Sequence, residues 1–334
     1  MRRAAKRTGP TNQLGAAILT AMLIVVLVAS LASTVLWQQW RDVEVEAAQR
    51  SRTQSAWILT GAQDWARLIL REDARKGGAD HLAEPWAVPL AEARLSTFLA
   101  ADRSDVVAAN EAQEAFLSGK IVDLQSRLNV TNLVQNGKTD EPTEVAFTRL
   151  FDLLGLPQSE LAALTDGLKR AEAVRADSSK QSLAPDPAEA LVPLLPQDVD
   201  QLTWLGLSNA SIVLLRPFIT LLPVRTPVNL NTAPVEVVYA AVESLEMADA
   251  HRLITARSAK HLASLDDAAK ATGNAQALFN TTQHSVSSRY FEIQGKLQVE
   301  QTTVQEYSVV QRDGLDVKTL WRRRGVLQAA ASLQ

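Results

Sequence analysis

The chain has 334 residues, 34 of them basic and 37 acidic, for a net charge of −3. Hydrophobic residues make up 46% and Gly and Pro number 14 and 13, so the chain is too apolar to be disordered or collagen-like. Cysteine is absent, which excludes thiolate catalysis, Cys-ligated zinc, iron–sulfur clusters and disulfide staples.

Four positive charges, Arg2, Arg3, Lys6 and Arg7, precede an uncharged stretch that ends only at Arg41. Residues 14–37 are almost wholly apolar; at 1.5 Å per residue they predict a helix about 36 Å long, enough to cross a hydrocarbon core of roughly 30 Å. The basic residues before it and the mixed run Arg41, Asp42, Glu44 and Glu46 after it orient the N-terminus to the cytoplasm, with Trp37 and Trp40 at the interface. Ser30-Leu31-Ala32 offers a small-x-small cleavage site, but the apolar run is too long for a signal peptide. The helical pattern continues through Val43, Ala47, Ala56, Trp57, Leu59, Ala62, Trp65, Leu68 and Ile69. It predicts one long helix, transmembrane over 16–37 and amphipathic over 38–75. The body beyond it holds the acidic excess, which argues against binding that rests on neutralising phosphates.

Residues 76–136 read as a loop and the first strand or strands, with a strand over 120–130. Val145, Phe147, Leu150, Phe151 and Leu154 sit at helical spacing over 141–154, and Gly155-Leu156-Pro157 stops that helix. A second helix is expected over 159–174, then an exposed Ser-, Asp- and Pro-rich loop over 177–187. Short helices over 196–205 and 208–215 and a strand over 219–224 follow. Asn231 or Thr232 is expected to cap a helix with Pro234 in its first turn and Val235, Val238 and Val242 inward. Asn229 and Asn231 flank an inward Leu230 and should bond backbone groups, so Asn231→Leu should cost roughly 1 to 2 kcal/mol. Helices over 247–258 and from Ser264-Leu265-Asp266-Asp267 come next. From Tyr290 the period becomes two: Tyr290, Phe291, Ile293, Leu297, Val304, Tyr307 and Val309 lie in alternation with Glu292, Gln294, Gln298 and Glu306. Antiparallel strands are therefore expected over 287–334, with Gly295 and Arg312-Asp313-Gly314 at turns.

A basic leader, residues 1–15, ending at Gly15 and followed by Ala16-Ala17-Ile18-Leu19-Thr20 resembles the N-terminus of type IV pilins and pseudopilins. The resemblance implies that a prepilin peptidase cuts between Gly15 and Ala16 and methylates the new terminus. Most members place a glutamate, paired with a neighbour's terminal ammonium, at the fifth mature position. Here that position is Thr20, which cannot pair and whose hydroxyl is expected to bond a carbonyl of its own helix, that of Ala16. The subunit expected to lack this glutamate is the minor pseudopilin K of type II secretion systems, and two further segments are similar to that family. Residues 121–133, carrying Asp123, Arg127 and Asn129, resemble its I-x-D-x-x-G-R-F-N-L-N-x-L, with Ser126 and Leu128 in place of Gly and Phe. Residues 226–234, carrying Asn229, Asn231 and Pro234, resemble its T-P-V-N-L-N-T-A-P, and Glu84-Pro85-Trp86-Ala87 is a weaker echo.

The resemblance implies an α+β fold: a pilin-like N-terminal helix packed on an antiparallel sheet, with a large all-α insertion over 137–286 of SAM-like or helix-hairpin-helix character. It also implies a single-pass inner-membrane protein with a periplasmic body, acting as a minor pseudopilin at the tip of the pseudopilus and initiating its assembly. The implied partners are minor pseudopilins of the I and J types, the major pseudopilin, the inner-membrane assembly platform and the prepilin peptidase. No cofactor is required, and calcium is an allowed ion whose ligands the resemblance does not assign.

A type IV pilus minor pilin is the alternative within this class. A membrane-anchored DNA-uptake receptor is the alternative outside it, since such receptors join an anchor to a helix-hairpin-helix fold. The hairpin here, Glu243-Ser244-Leu245-Glu246-Met247, has no glycine to bring bare amides to phosphate and carries two carboxylates, so no nucleic-acid partner is expected. Catalysis is not expected either. His81, His251, His261 and His284 form no H-E-x-x-H pair, and no G-x-S-x-G elbow, Walker loop or dinucleotide fingerprint occurs. Asp198 with Asp200, and Asp266 with Asp267, read as solvated faces or helix starts.

Overall fold

A computed structural model describes residues 14–95, 115–178, 194–274, 276–299 and 302–328. The chain forms two compact units, residues 1–58 and 59–334, and helix α1, Leu14–Lys76, begins in the first and ends in the second. In the first unit Ile18, Leu19, Met22 and Leu23 are exposed in succession around the helix. Among the described residues α1 is the one helix long and apolar enough to cross a membrane, and it supplies a single membrane anchor. The Thr20 hydroxyl bonds inside this helix, donating to the Ala17 carbonyl at 2.9 Å. In the second unit Leu59, Gln63, Ala66 and Leu70 form the buried stripe, a spacing of four, three and four. Trp65 and Leu68 of the expected apolar face are largely exposed.

Strand β1, Leu90–Arg94, pairs with β2, Ala115–Asp123. The chain then leaves the sheet through residues 124–289. The strand expected over 120–130 ends at Asp123 because that carboxylate accepts the amide of Gln125 and caps a 3-10 turn over Leu124–Ser126. Beyond lie β3, Leu128–Asn129, then β4, Val134–Gln135, and β5, Lys138–Thr139. Helix α2, Glu141–Leu154, is capped by Asp140 and closed by Gly155 in the left-handed region, φ 66°. Its inward face is Ala146, Phe147, Leu150 and Phe151, whereas Val145 faces solvent. Helix α3, Gln158–Ser178, runs into the expected loop over 177–187, which from residue 179 lies outside the described residues. A 3-10 helix over Val199–Leu205 and α4, Asn209–Leu215, replace the two short helices expected there.

The expected strand over 219–224 shrinks to β6, Ile219–Thr220, parallel to β3. Next come β7, Val228–Asn229, helices α5, Val235–Ala241, α6, Met247–Ala259, and α7, Leu265–Thr272, and strand β8, His284–Ser285, parallel to β7. The α7 start is a capping box, with Ser264 and Asp267 bonding each other's amides. Chain and sheet rejoin at β9, Tyr290–Val299, followed by β10, Thr302–Asp313, and β11, Asp316–Gln328. The five-stranded antiparallel sheet has the order β1-β2-β9-β10-β11.

Alternation divides the sheet's residues between two cores. Phe291, Ile293, Val310 and Val317 pack with Ala66 and Leu70 of α1 and with Trp86, while Tyr290 and Val309, on the other face, meet Leu124 and Leu222. The helical insertion has its own larger core, built on Phe147, Leu150, Leu164, Leu230, Val238 and Leu253. Gly295 lies inside β9, opposite Gly119 of β2, and is not at a turn. A Cβ there would meet Leu59 of α1 at 3.2 Å, and one on Gly119 would meet the Gln294 carbonyl at 2.8 Å. Bare backbone at this crossing lets α1 lie close on the sheet. Gly314, φ 57°, does make the β10–β11 turn.

Candidate functional site

The sequence motifs converge on one buried polar junction where the end of α1, the sheet and the helical insertion meet. The Asp123 side chain is buried at the end of β2. One of its oxygens accepts the Gln125 amide at 2.7 Å; the other accepts the hydroxyls of Thr232 at 2.5 Å and Ser288 at 2.6 Å and the Asn229 amide at 3.1 Å. Burial outweighs these four donors and pushes the carboxyl up to about 6. The Asn229 side-chain nitrogen also reaches the Asp80 carbonyl and the Ser288 hydroxyl, while its oxygen accepts the Asn231 amide at 3.0 Å.

Ser288 links this cluster to a second one. Its amide donates to Asp80 at 2.6 Å, and its carbonyl accepts from Arg312 of β10 at 2.9 Å. The Arg312 guanidinium bridges Asp80 to Asp73 of α1, the latter at 2.7 Å, and lies 4.9 Å from the Phe291 ring centre. Burial raises both Asp73 and Asp80; it also opposes the charge on Arg312, but Asp80 and Asp73 outweigh that and hold the guanidinium's pKa above its ordinary value. Glu84 completes the group by accepting the His81 amide and the indole N–H of Trp86, both at 2.8 Å. The Glu84-Pro85-Trp86-Ala87 segment is thus a 3-10 turn that delivers Trp86 edge-on to Phe291.

The asparagines of the two long motifs stitch the insertion together by standing in for backbone. Asn129 accepts the amides of Thr131 and Leu222 and donates to the Val224 carbonyl at 2.8 Å. Asn132 pairs with both backbone groups of Thr226, and Asn231 does the same with Leu262, at 2.9 and 2.8 Å. Neither Asn231 nor Thr232 caps α5. The capping position is Pro234, and both polar side chains are already committed, to Leu262 and to Asp123. Val237, Val238 and Val242 are buried behind it and Val235 only partly. Asn231→Leu should therefore strand a buried N–H and a buried C=O on Leu262 and cost about 2 to 3 kcal/mol, more than a lost cap. Chemical denaturation of the purified chain measures it.

Asn129 and Pro234 lie within the insertion, away from Asp123, and Arg127 is half-buried and lines a separate cleft. Thr232 of the 226–234 motif joins the junction, and Asp80, Ser288 and Arg312, which complete it, lie outside both long motifs. Residues 80 and 288 are too far apart along the chain for any local pattern to pair them.

The junction holds together three pieces of chain, and its polar atoms bond one another: the hydroxyls of Ser288 and Thr232 are both spent on the buried Asp123 carboxylate. Among the described residues, the carboxylates close enough to share a metal ion are Asp73, Asp80 and Glu84, whose ligand atoms lie within 4.8 Å of one another. They do not fit calcium here, because Arg312 already supplies the positive charge and Glu84 is spent on two N–H groups. Among the described residues the histidines make no metal set either. His284 is buried with one nitrogen on the Ala241 carbonyl at 3.0 Å and the other on the Asn280 amide, and its pKa is lowered by burial. His81 and His261 stack at 4.0 Å.

Comparison with known proteins bears on what such a junction serves. Two models of one family, type II secretion system (T2SS), protein K, match residues 126–224 and 228–287. The type II secretion system protein K of Pseudomonas aeruginosa is 28% identical over 297 residues, which is 84% of this chain and 84% of that one. These matches are all to the type II secretion system protein K family, whose members are structural subunits, and they support a minor-pseudopilin role in type II secretion. The fold agrees. A chain in the crystal structure of the GspK-GspI-GspJ complex from enterotoxigenic Escherichia coli is similar, with a TM-score of 0.62 at 20% identity, over 83% of this chain and 98% of that one. The two matched regions are separated only by residues 225–227, and Asn129 and Asn132 bond Val224 and Thr226 at that boundary.

Proposed function

We propose that this minor pseudopilin sits at the tip of the periplasmic pseudopilus and initiates its assembly, with its N-terminus in the cytoplasm and its anchor in the inner membrane. The observation that carries this reading is bulk: residues 124–289 are inserted between two neighbouring strands of the sheet. A repeating shaft packs every head against neighbours above and below, so a head this large is accommodated only at an end. Thr20 supports it. A terminal subunit has no further neighbour whose ammonium could neutralise a carboxylate at that depth, and an unpaired carboxylate in lipid costs on the order of a few kcal/mol.

The partners proposed are minor pseudopilins of the I and J types, counterparts of the GspI and GspJ that share a complex with the solved relative, together with the major pseudopilin, the assembly platform and the prepilin peptidase, cutting between Gly15 and Ala16. No cofactor is needed for this role. Nucleic acid is not a proposed partner, because the hairpin between α5 and α6 exposes the carboxylates of Glu243 and Glu246. Quantitative mass spectrometry of isolated pseudopili should find this chain at about a single copy in each; parity with the main shaft subunit would refute the tip assignment. Thr20→Glu should impair assembly or admit the subunit to the shaft, and Thr20→Ala should be close to neutral.

A further inference from the structure

A cleft of about 550 Å³ opens between the sheet face turned away from α1 and the segment that carries the 3-10 helix over Val199–Leu205 and strand β6. Five charged side chains line it: Arg127, Arg216 and Arg323 against Asp198 and Glu292. Arg323 is paired with Asp198, and Arg216 with Asp200 just outside the lining. Glu292 accepts the side-chain amide of Gln294. Arg127 is left over. It is half-buried, and among the described residues it makes no hydrogen bond or ion pair; Glu292 and Asp123 act on it only through their fields, while burial works against its charge. A guanidinium cannot shed its proton to escape that cost, so it stands in the cleft as an unmatched cation.

We infer that this cleft binds an acidic side chain, Asp or Glu, in a segment of a partner protein, with Arg127 taking its carboxylate. A planar carboxylate accepts two parallel N–H bonds from a guanidinium. Its single negative charge suits the one arginine of the lining that has no ion-pair partner, whereas a doubly charged phosphate would face Asp198 and Glu292 as well. The remaining wall suits polypeptide. The rings of Trp321 and Tyr307, each 5.9 Å from the Arg323 guanidinium, offer apolar contact, and the side-chain amides of Gln197 and Gln294 can bond passing backbone. The inference is independent of the tip reading and would hold for a subunit placed anywhere in the pseudopilus.

The test uses the full chain in detergent and a C-terminally amidated, N-acetylated peptide Ala-Ser-Ala-Glu-Ala-Ser, read by saturation-transfer NMR. The glutamate methylenes should receive saturation from the protein. The signal should fall at least about fivefold when the peptide glutamate becomes glutamine or when the protein carries Arg127→Gln, a loss of about 1 kcal/mol in binding. It should survive Arg216→Gln, whose partner is Asp200. Thermal melting supplies the second readout, and Arg127→Gln should leave the midpoint unchanged or raise it, since it removes an uncompensated charge. Equal signals from the Glu and Gln peptides would overturn the assignment. So would matched destabilisation by Arg127→Gln and Glu292→Gln, which would make the two an internal ion pair. A signal seen only after Asp186 and Glu189 are changed to alanine would assign the cleft to this chain's own carboxylates and overturn the partner. Transfer to a Gln peptide with a free C-terminus, and not to the amidated Glu peptide, would replace the side chain by a chain end.

Discussion

Asp123→Ala should lower the stability of the folded chain by about 3 to 4 kcal/mol at neutral pH. The substitution removes one carboxylate and orphans four donors: the Gln125 amide, the hydroxyls of Thr232 and Ser288, and the Asn229 side-chain amide. Each buried donor left unmade costs about 1 to 3 kcal/mol, reduced where a hydroxyl can turn to another acceptor, as Thr232 can toward the Asn229 carbonyl. Asp123→Asn should be milder, because it keeps one acceptor oxygen and the volume. It nevertheless places an NH2 group among donors. The pH dependence separates the charge from the hydrogen bonds. The folded-state carboxyl titrates near 6, above the 3.8 of the free group, so between those values the folded chain binds the proton more tightly than the unfolded chain. This carboxyl's contribution is therefore most favourable below about pH 4 and is lost as pH rises through 6. Between pH 5 and pH 7 the wild type should lose about 1 kcal/mol that Asp123→Asn does not lose, measured as the difference between their denaturation curves. A parallel pH profile for the two chains would show that this carboxyl does not titrate near 6.

How much of this was legible beforehand follows the range of the interactions. The long helix, the helices starting at 141, 247 and 265, and the two-residue alternation from Tyr290 were legible because each is set by neighbours a few residues away. Gly295 was misplaced at a turn because what demands a glycine there is Leu59 of α1, more than two hundred residues earlier. The strand over 120–130 was overextended because Asp123 turns the chain by bonding the Gln125 amide, a capping role the apolar residues around it conceal. Asn231 and Thr232 have the chemistry of helix caps, and sequence alone cannot show that Leu262 and Asp123 already engage them. Asp123, Asn129, Asn229 and Asn231 were visible as motif residues. The role of Asp123 and Asn229 in joining three segments at one buried junction appeared only when Asp80, Ser288 and Arg312 arrived from distant parts of the chain.

Arg312→Ala should destabilise the chain by about 3 to 5 kcal/mol at neutral pH and make its stability depend on calcium. The Arg312 side chain is 10% exposed, with Asp73 and Asp80 at 8% and 4%. Removing the cation leaves two buried carboxylates facing each other without a partner, a far larger penalty than the net worth of the pair itself. Burial already raises both acids with the guanidinium present; without it they rise further and take protons more readily in the folded state. The deficit should therefore shrink as pH falls and be greatest at neutral pH and above. Asp73, Asp80 and Glu84 would then be three oxygen donors within 4.8 Å of one another around a space that held positive charge. A divalent cation can restore that charge, and oxygen sets of this kind hold calcium with affinities down to the millimolar range. Millimolar calcium should accordingly raise the melting midpoint of Arg312→Ala by several degrees more than that of the wild type, whose guanidinium occupies the same position. Magnesium should do less, because it keeps its waters and demands octahedral geometry. Equal calcium shifts in variant and wild type would mean that the carboxylates move apart once Arg312 is gone, and that the guanidinium alone holds Asp73 of α1 against the loop bearing Asp80.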